Sequence, residues 1–353
     1  MSIKNAAGDQ VRINIKNDKT YTLTAALTFG SLGQAVLQGY SNSVGDLGKT
    51  TFTSNITSGT NYTMTANSNT VFVDLIFINT GASGGNHVFV VTGLSEVMFI
   101  RCVFTGARGS GFAQNPSGIG HAYLIECEAY ANNASNAANE AGFRQASNGG
   151  SVMFCYNCYS HDNAGSNSNG FSNNAASGGS MILVNCIADT NGANGASILS
   201  SARALISINS NYYNNTGDAI KLATTTTSGW TFIANNNFLK NGGKGVNNTG
   251  ASTGGILYNN GRGSGSQANG SSDTLQSIVD TGTDITYASG DTPWNAPTTG
   301  DFTTIPTSAA RSAGRGVFTE TDGTNTGTVA YPDIGAAQAL VTPELRIPSI
   351  ASI

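Results

Sequence analysis

Residues 123–132 read YLIECEAYAN, with Glu126 and Glu128 on either side of Cys127. Two carboxylates around a thiol are either the acid and base of a catalytic site or the wet side of a strand whose dry side carries the cysteine. The answer lies in the rest of the chain. Six other stretches share the frame: VFVDLIFINT (71–80), MFIRCVFTGA (98–107), FCYNCYSHDN (154–163), ILVNCIADTN (182–191), ISINSNYYNN (206–215) and FIANNNFLKN (232–241). Their fifth positions are Leu75, Cys102, Cys127, Cys158, Cys186, Ser210 and Asn236, separated by 27, 25, 31, 28, 24 and 26 residues. A recurrence of this length with β-like residues in each unit is the signature of a solenoid.

Within each stretch the odd positions are mostly apolar, as in Val71, Val73, Leu75 and Phe77 or Met98, Ile100, Cys102 and Phe104. The even positions vary and hold the charges. Period two with one face buried describes strands, and it predicts that all the odd positions point inward. Parallel strands one coil apart stack equivalent residues into columns about 4.8 Å apart. Cys102, Cys127, Cys158 and Cys186 then form a column of small, buried, reduced thiols. Cys155 and Cys158 make a formal CxxC, but residues three apart in one strand face opposite ways, which predicts neither a disulfide nor a shared metal. Asn132, Asn163, Asn191, Asn215 and Asn241 at the tenth positions are expected to turn the chain in the left-handed region and to hydrogen-bond as a stack of amides.

Composition agrees with this reading. The 353 residues include 45 Gly and 7 Pro, only 10% are charged and 39% are hydrophobic, too apolar for a disordered chain. The net charge of −4 argues against a nucleic-acid partner, which selects basic faces. No apolar run approaches the roughly 20 residues of a membrane span, and the start MSIKNAAGDQVRINIKND lacks the apolar core of a secretory signal. The expectation is a protein made in the cytoplasm that stays there or leaves by lysis.

On these repeats the chain resembles the right-handed parallel β-helix, or pectate-lyase-like, superfamily; Asn185-Cys186 through Asn191 follows its repeat closely. YTLTAALTF (21–29) and VLQGYSNSVGDLGKTTFTS (36–54), with turns expected at Gly39-Tyr40 and Gly45-Asp46, resemble its opening coils. DFTTIPTSAARSAG (301–314) and DIGAAQ (333–338) resemble a closing motif, departing from it at Ala309, Arg311 and Ser312. The resemblance implies the fold: all-β, a parallel β-helix over 11–262 after an arm at 1–10. A capping region is expected at 263–339 and an extended tail at 340–353. The Gly/Ser-rich GRGSGSQANGSS (261–272) marks the boundary, and Trp294, Phe302, Phe318 and Tyr331 supply apolar mass to cover the last coil. In the tail Leu345, Ile347, Ile350 and Ile353 are apolar, suited to folding back on the solenoid or to docking on another subunit.

The resemblance leaves function open, since lyases, hydrolases, adhesins and virion parts share this fold. A lyase of this kind would use a basic residue, Arg101 or Arg144, near a carboxylate-held calcium, but no Asp cluster accompanies either. No metal or other cofactor is expected. His87, His121 and His161 lack metal-ligand spacing with carboxylates, and DGTNTG (322–327) reads as a turn or a calcium loop. The eighth positions Tyr130, His161, Asp189 and Tyr213 form an outward column, with Glu128 and Tyr159 from the sixth positions beside it. That face would stack sugar rings, with His161 and Asp189 as an acid/base pair, or it is simply a polar solvent face. At the fourth positions Asp74, Arg101 and Glu126 alternate in charge, and Glu126 is expected to pair with Arg101. The sequence therefore supports a non-enzymatic structural or adhesive protein. A bacteriophage virion component, capsid decoration or tail fibre, is the expected setting, on the virion surface and in contact with other virion proteins. The resemblance implies a homo-oligomer, a trimer above all. The alternatives are a polysaccharide lyase or glycoside hydrolase, and a glycan-binding module without cleavage.

Overall fold

The computed structural model describes residues 10–310, apart from 30–33, 57–59, 66–68, 82–86, 94–95, 116–119, 137–138, 147–149, 176–177, 200–203, 224–228, 251–253, 283 and 306. The chain coils through nine turns of three strands each and then two turns of two strands. Equivalent strands of successive turns pair side by side and parallel. The first sheet has 11 strands, from Gln10–Lys16 to Ile278–Asp280; the second has 11, from Tyr21–Leu23 to Ile285–Thr286; the third has nine, from Leu27–Phe29 to Val246–Asn248. This is the right-handed parallel β-helix, whose hand follows from the twist of L-residue strands feeding parallel crossovers. No helix among the described residues is long and apolar enough to cross a membrane.

Each repeated stretch turns out to be two strands. Val152–Tyr156 belongs to the first sheet and Tyr159–His161 to the second, with Asn157 at the corner. The fourth positions all adopt a left-handed backbone there: Asp74 (φ 55°), Arg101 (53°), Glu126 (54°), Asn157 (52°), Asn185 (54°), Asn209 (51°) and Asn235 (53°). Asn dominates because its short amide tolerates that region best among residues with a Cβ. A single left-handed residue bends the chain and shifts the alternation by one. The expected inward set is therefore right only after the corner, where Leu75, Cys102, Cys127, Phe77, Phe104 and Ala129 are buried. Before it, Phe72, Phe99, Leu124, Cys155 and Leu183 point inward. Val71, Met98, Tyr123 and Ile182, expected in the core, face outward and are half-buried.

The same corner corrects the CxxC. Cys155 lies on the first sheet and Cys158 just past the corner, ahead of the second-sheet strand, and both enter the core, where they stay free thiols with Cys102, Cys127 and Cys186. Burial pushes the Cys102, Cys127 and Cys158 thiols well above their ordinary pKa, so these residues behave as inert core packing.

The left-handed residue of the next corner is the ninth position, not the tenth Asn: Ala131, Asp162, Thr190, Asn214 and Lys240 have φ of 49–55°. The tenth-position amides turn inward instead and form a ladder. Asn163 Nδ2 donates to Asn191 Oδ1 (2.7 Å), Asn191 to Asn215 (2.9 Å), Asn215 to Asn241 (2.9 Å) and Asn241 to Asn269 (3.0 Å). Each rung also tethers backbone, as when Asn191 Nδ2 donates to the Ser160 carbonyl at 3.1 Å. Buried amides are tolerable because each finds its partner one coil away.

Strand pairing continues beyond residue 262, where the Gly/Ser-rich loop had suggested a boundary. Ile278–Asp280 extends the first sheet and Ile285–Thr286 the second. Nor do Trp294 and Phe302 cover the last coil. They sit on an antiparallel hairpin of Trp294–Ala296 and Asp301–Thr304 laid against the outer side of the second sheet. Near the start, Gly39 and Tyr40 end a strand rather than forming a turn. The turn at Gly45–Asp46 is closed by the Asp46 carboxylate, which accepts backbone N–H bonds from Ser41, Asn42, Ser43 and Gly48. Phe318, Tyr331, the stretches 322–327 and 333–338, and the tail with Leu345, Ile347, Ile350 and Ile353 lie outside the described residues.

Candidate functional site

The outward residues of the second sheet divide at the middle of the rod. In the later coils Ile187, Tyr213 and Leu239 are covered by Trp294, Phe302, Ala310 and Tyr287, which with them make a second apolar cluster. Tyr213, expected to face sugars, is only 3% exposed and meets Trp294 edge-on at 5.5 Å and Phe302 at 5.9 Å. Hairpin coverage accounts for this, because the outward apolar residues Ile187, Tyr213 and Leu239 attract the apolar C-terminal segment. In the earlier coils the hairpin gives out. Phe302 reaches Tyr159 at 6.2 Å, and on the coil next to it the outward Glu128 and Tyr130 are half-buried.

At this edge Glu128, Tyr130, Tyr159, His161 and Asp162 come together. Strands Glu128–Tyr130 and Tyr159–His161 pair in register, which sets His161 directly above Tyr130 and Tyr159 above Glu128. The imidazole stacks on Tyr130 (5.2 Å, 14° between planes) and on Tyr159 (4.1 Å, 23°). Its Nε2 lies 2.9 Å from Glu128 Oε1 and its Nδ1 2.8 Å from Asp162 Oδ2. Both ring nitrogens face carboxylate oxygens, an arrangement in which both would donate and which favours the imidazolium over the neutral ring. Burial alone would disfavour that charge, but the bonds and charges of Glu128 and Asp162 outweigh it and raise the His161 pKa. Asp162 was missed as a site residue. Its left-handed ninth position (φ 49°) swings the carboxylate out beside the ring, and the His-Asp dipeptide was the available signal.

Asp189 pairs in register with His161, one coil on, yet it makes no hydrogen bond to it. Instead Asp189 Oδ1 accepts from Thr190 Oγ1 at 2.7 Å and Oδ2 from Tyr159 at 3.3 Å. The expected acid/base pair therefore does not form, because Glu128 and Asp162 already occupy both imidazole nitrogens. Asp189 is 7% exposed, and burial raises its pKa to about 6, against the bonds from Thr190 and Tyr159.

Glu126 is not the partner of Arg101. The guanidinium turns the other way along the column and holds Asp74, Nε to Oδ1 at 2.7 Å and Nη2 to Oδ2 at 2.9 Å. Asp74 is fully buried and needs the compensating charge; Glu126 is half-exposed and does not. Arg144 is likewise engaged, donating to Glu140 Oε1 at 2.7 Å. Glu140 also accepts from Ser110 Oγ, and His87 Nδ1 accepts the Ser110 backbone N–H at 3.0 Å. Burial, first of all, lowers the His87 pKa, and Ser110 is wholly buried, so this cluster ties coils together and presents no nucleophile. Among the described residues no three His, Cys, Asp or Glu side chains are placed to hold a metal ion.

The fold makes the chain a parallel β-helix protein. No family model matches it and no curated protein matches it in sequence. Among solved structures it is similar to pectate lyase Pel9A, at 15% identity and a TM-score of 0.48 over 92% of this chain and 87% of that one. It is also similar to the A-module of the Azotobacter vinelandii mannuronan C-5 epimerase AlgE4, at 13% identity and a TM-score of 0.35 over 78% of this chain and 82% of that one.

Proposed function

We propose that this protein is a structural and adhesive β-helix, a component of a surface assembly such as a virion, with a glycan contact at the open edge of the second sheet. The observation that supports the contact is the half-exposed group of Tyr130, His161, Glu128 and Asp162. Phenol rings stack on the apolar faces of sugars, and carboxylates accept hydrogen bonds from their hydroxyls. Two carboxylates against a single imidazole disfavour acidic sugars, whatever the charge of the ring, and favour neutral, hydroxyl-rich ones.

Turnover is less well served. A general base needs a free lone pair, and both His161 nitrogens are committed to carboxylates. Asp189, with a pKa near 6, has the protonation behaviour of a general acid, but its carboxyl sits beneath the hairpin edge and faces Tyr159 and Thr190.

Titration calorimetry against neutral and acidic oligosaccharides tests the reading. Saturable binding of a neutral glycan, weakened by about tenfold or more in Tyr130→Ala, is the expected result, as for the loss of one stacking residue. An absence of binding, or binding indifferent to Tyr130→Ala, removes the adhesive site. Cleavage of a polysaccharide that disappears in His161→Ala or Asp189→Ala would replace it with an enzyme. Virion association that survives deletion of residues 340–353 would remove the tail from the assembly.

A further inference from the structure

The left-handed corner has a second effect. It turns the first and third positions of each stretch out of the core cluster. At the third, Val73, Ile100 and Ala234 are buried, whereas the first positions are all half-buried on the outer face of the first sheet. There Met98, Tyr123, Phe154, Ile182, Ile206 and Phe232 pair in register as one column. The column begins at Val36 and Val71 and ends at Ile256 and Val279, ten rungs without a polar interruption other than one phenol. A second column beside it carries Ile125, Tyr156, Val184 and Ile208. Four of the six exposed large hydrophobic residues described, Tyr156 (37%), Trp230 (47%), Ile256 (37%) and Val279 (64%), belong to this face.

Ten rungs span about 43 Å, and two columns with their flanks are roughly 15 Å wide. Each copy thus offers on the order of 650 Å², or about 1,300 Å² for two, the size of a stable specific interface. A single exposed apolar residue needs no explanation, but a contiguous stripe of this area does. Between Val71 and Tyr258 the two columns carry no hydrogen-bonding side chain but the phenols of Tyr123, Tyr156 and Tyr258, too few for a polysaccharide, and a globular partner would meet only a few rungs. A surface with the same rung spacing, straight over the same length, meets them all. A second copy of this chain has that surface.

We infer that copies of this protein associate side by side through the outer face of the first sheet, burying the Met98–Phe232 column against one another. The stripe and the Tyr130 group lie on different sheets, so this interface and the glycan contact stand or fall separately.

Analytical ultracentrifugation of the full chain, from sub-micromolar to tens of micromolar, tests the inference. The expected result is a dimer or trimer that becomes a monomer in Ile206→Arg/Phe232→Arg with an unchanged circular-dichroism spectrum. Phe232→Cys gives a readout that needs no disruptive charge. Its alkylation rate should fall on the order of tenfold at high protein concentration, following mass action. A wild-type chain that stays monomeric throughout overturns the inference, even if its stripe then binds lipid vesicles. So does an oligomer that survives both arginines, or a thiol at position 232 whose reactivity ignores concentration.

Discussion

The outer faces of the first and second sheets are built from the same repeated stretches, on either side of one left-handed residue, yet they end in opposite conditions. On the second sheet the apolar outward residues Ile187, Tyr213 and Leu239 are covered by the chain's own hairpin. Where that cover stops, the outward residues become Glu128, Tyr130 and His161. On the first sheet one outward column, from Val36 to Val279, is apolar but for a phenol, and several residues of that face stay exposed. Outward apolar residues in a β-helix are thus a record of what lies against them. In one case it is the same chain, and on our inference in the other it is a second copy.

The strongest way to break that contrast is to remove the cover. Phe302 is fully buried between Tyr213, Trp294 and Tyr159. Phe302→Ala should cost about 3–5 kcal/mol in urea unfolding, the usual range for a buried aromatic. It should also speed amide exchange in residues 187–189 and 211–213. If exchange there stays slow, something other than the hairpin shields the face.

At the corner joining the two faces, Arg101→Ala leaves the buried Asp74 carboxylate without its counter-ion. A loss of roughly 3 kcal/mol is expected for breaking a buried pair from one side. A loss below 1 kcal/mol, read by the same unfolding curves, would mean that backbone donors carry Asp74.

The covered and open parts of the second sheet meet at Asp189, and pH separates them. The folded carboxyl keeps its proton up to about pH 6, whereas an exposed aspartate releases it near 3.8. Between those values the folded state binds more protons, so stability falls as pH rises, by up to about 3 kcal/mol if the whole shift is expressed. His161 acts in the same direction higher up. Its stabilising contribution is complete below the ordinary histidine value of 6.5 and is lost as pH rises through its raised folded pKa. Asp189→Asn should therefore raise stability at pH 8 and flatten the slope between pH 4 and 6, leaving the upper slope to His161. An unchanged lower slope would place the titration elsewhere.

The fold was legible because a solenoid repeats its signal. Seven stretches in one frame, six of them with cysteine or a polar residue at the fifth position, specify stacked coils even when each alone is ambiguous. What the alternation concealed was phase. Period two read straight through YLIECEAYAN treats Glu126 as one more extended residue, whereas its φ of 54° makes it the hinge between two sheets. The recurrence of Asn157, Asn185, Asn209 and Asn235 at that position was a usable sign of a left-handed corner. Missing it put Tyr123 and Ile182 in the core. The site was half legible for a related reason. Columns predict that Glu128, Tyr130, Tyr159 and His161 are neighbours, but not which way Arg101 or His161 turns within a column. Burial decides the first choice and local chain geometry the second: Asp74 wins over Glu126 because it is sealed in, and Asp162 over Asp189 because its left-handed backbone hangs the carboxylate beside the ring.

Ile206 tests the open face at low cost to the fold. In a monomeric preparation Ile206→Ala removes half-buried methylenes from an outward position, and about 1 kcal/mol or less is expected. The same change should weaken self-association at concentrations where the wild type is oligomeric. If monomer stability instead falls as far as in Phe302→Ala, the first-sheet face is packed within the chain and the contrast between the two faces dissolves.

Glu126→Ala should have the smallest effect of all. The side chain is half-exposed and Arg101 is turned to Asp74, so only a long-range attraction to the guanidinium is lost. A change within about 0.5 kcal/mol is expected, as for surface charges in general. The left-handed backbone at this position gives the experiment a second arm. Glu126→Gly relieves the side-chain penalty at φ 54° and Glu126→Val aggravates it, so stability should rank Gly at or above Ala and Ala above Val. A pair between Glu126 and Arg101 would make every substitution costly by a similar amount. A hinge makes the cost depend on the shape of the replacement and hardly on the charge removed.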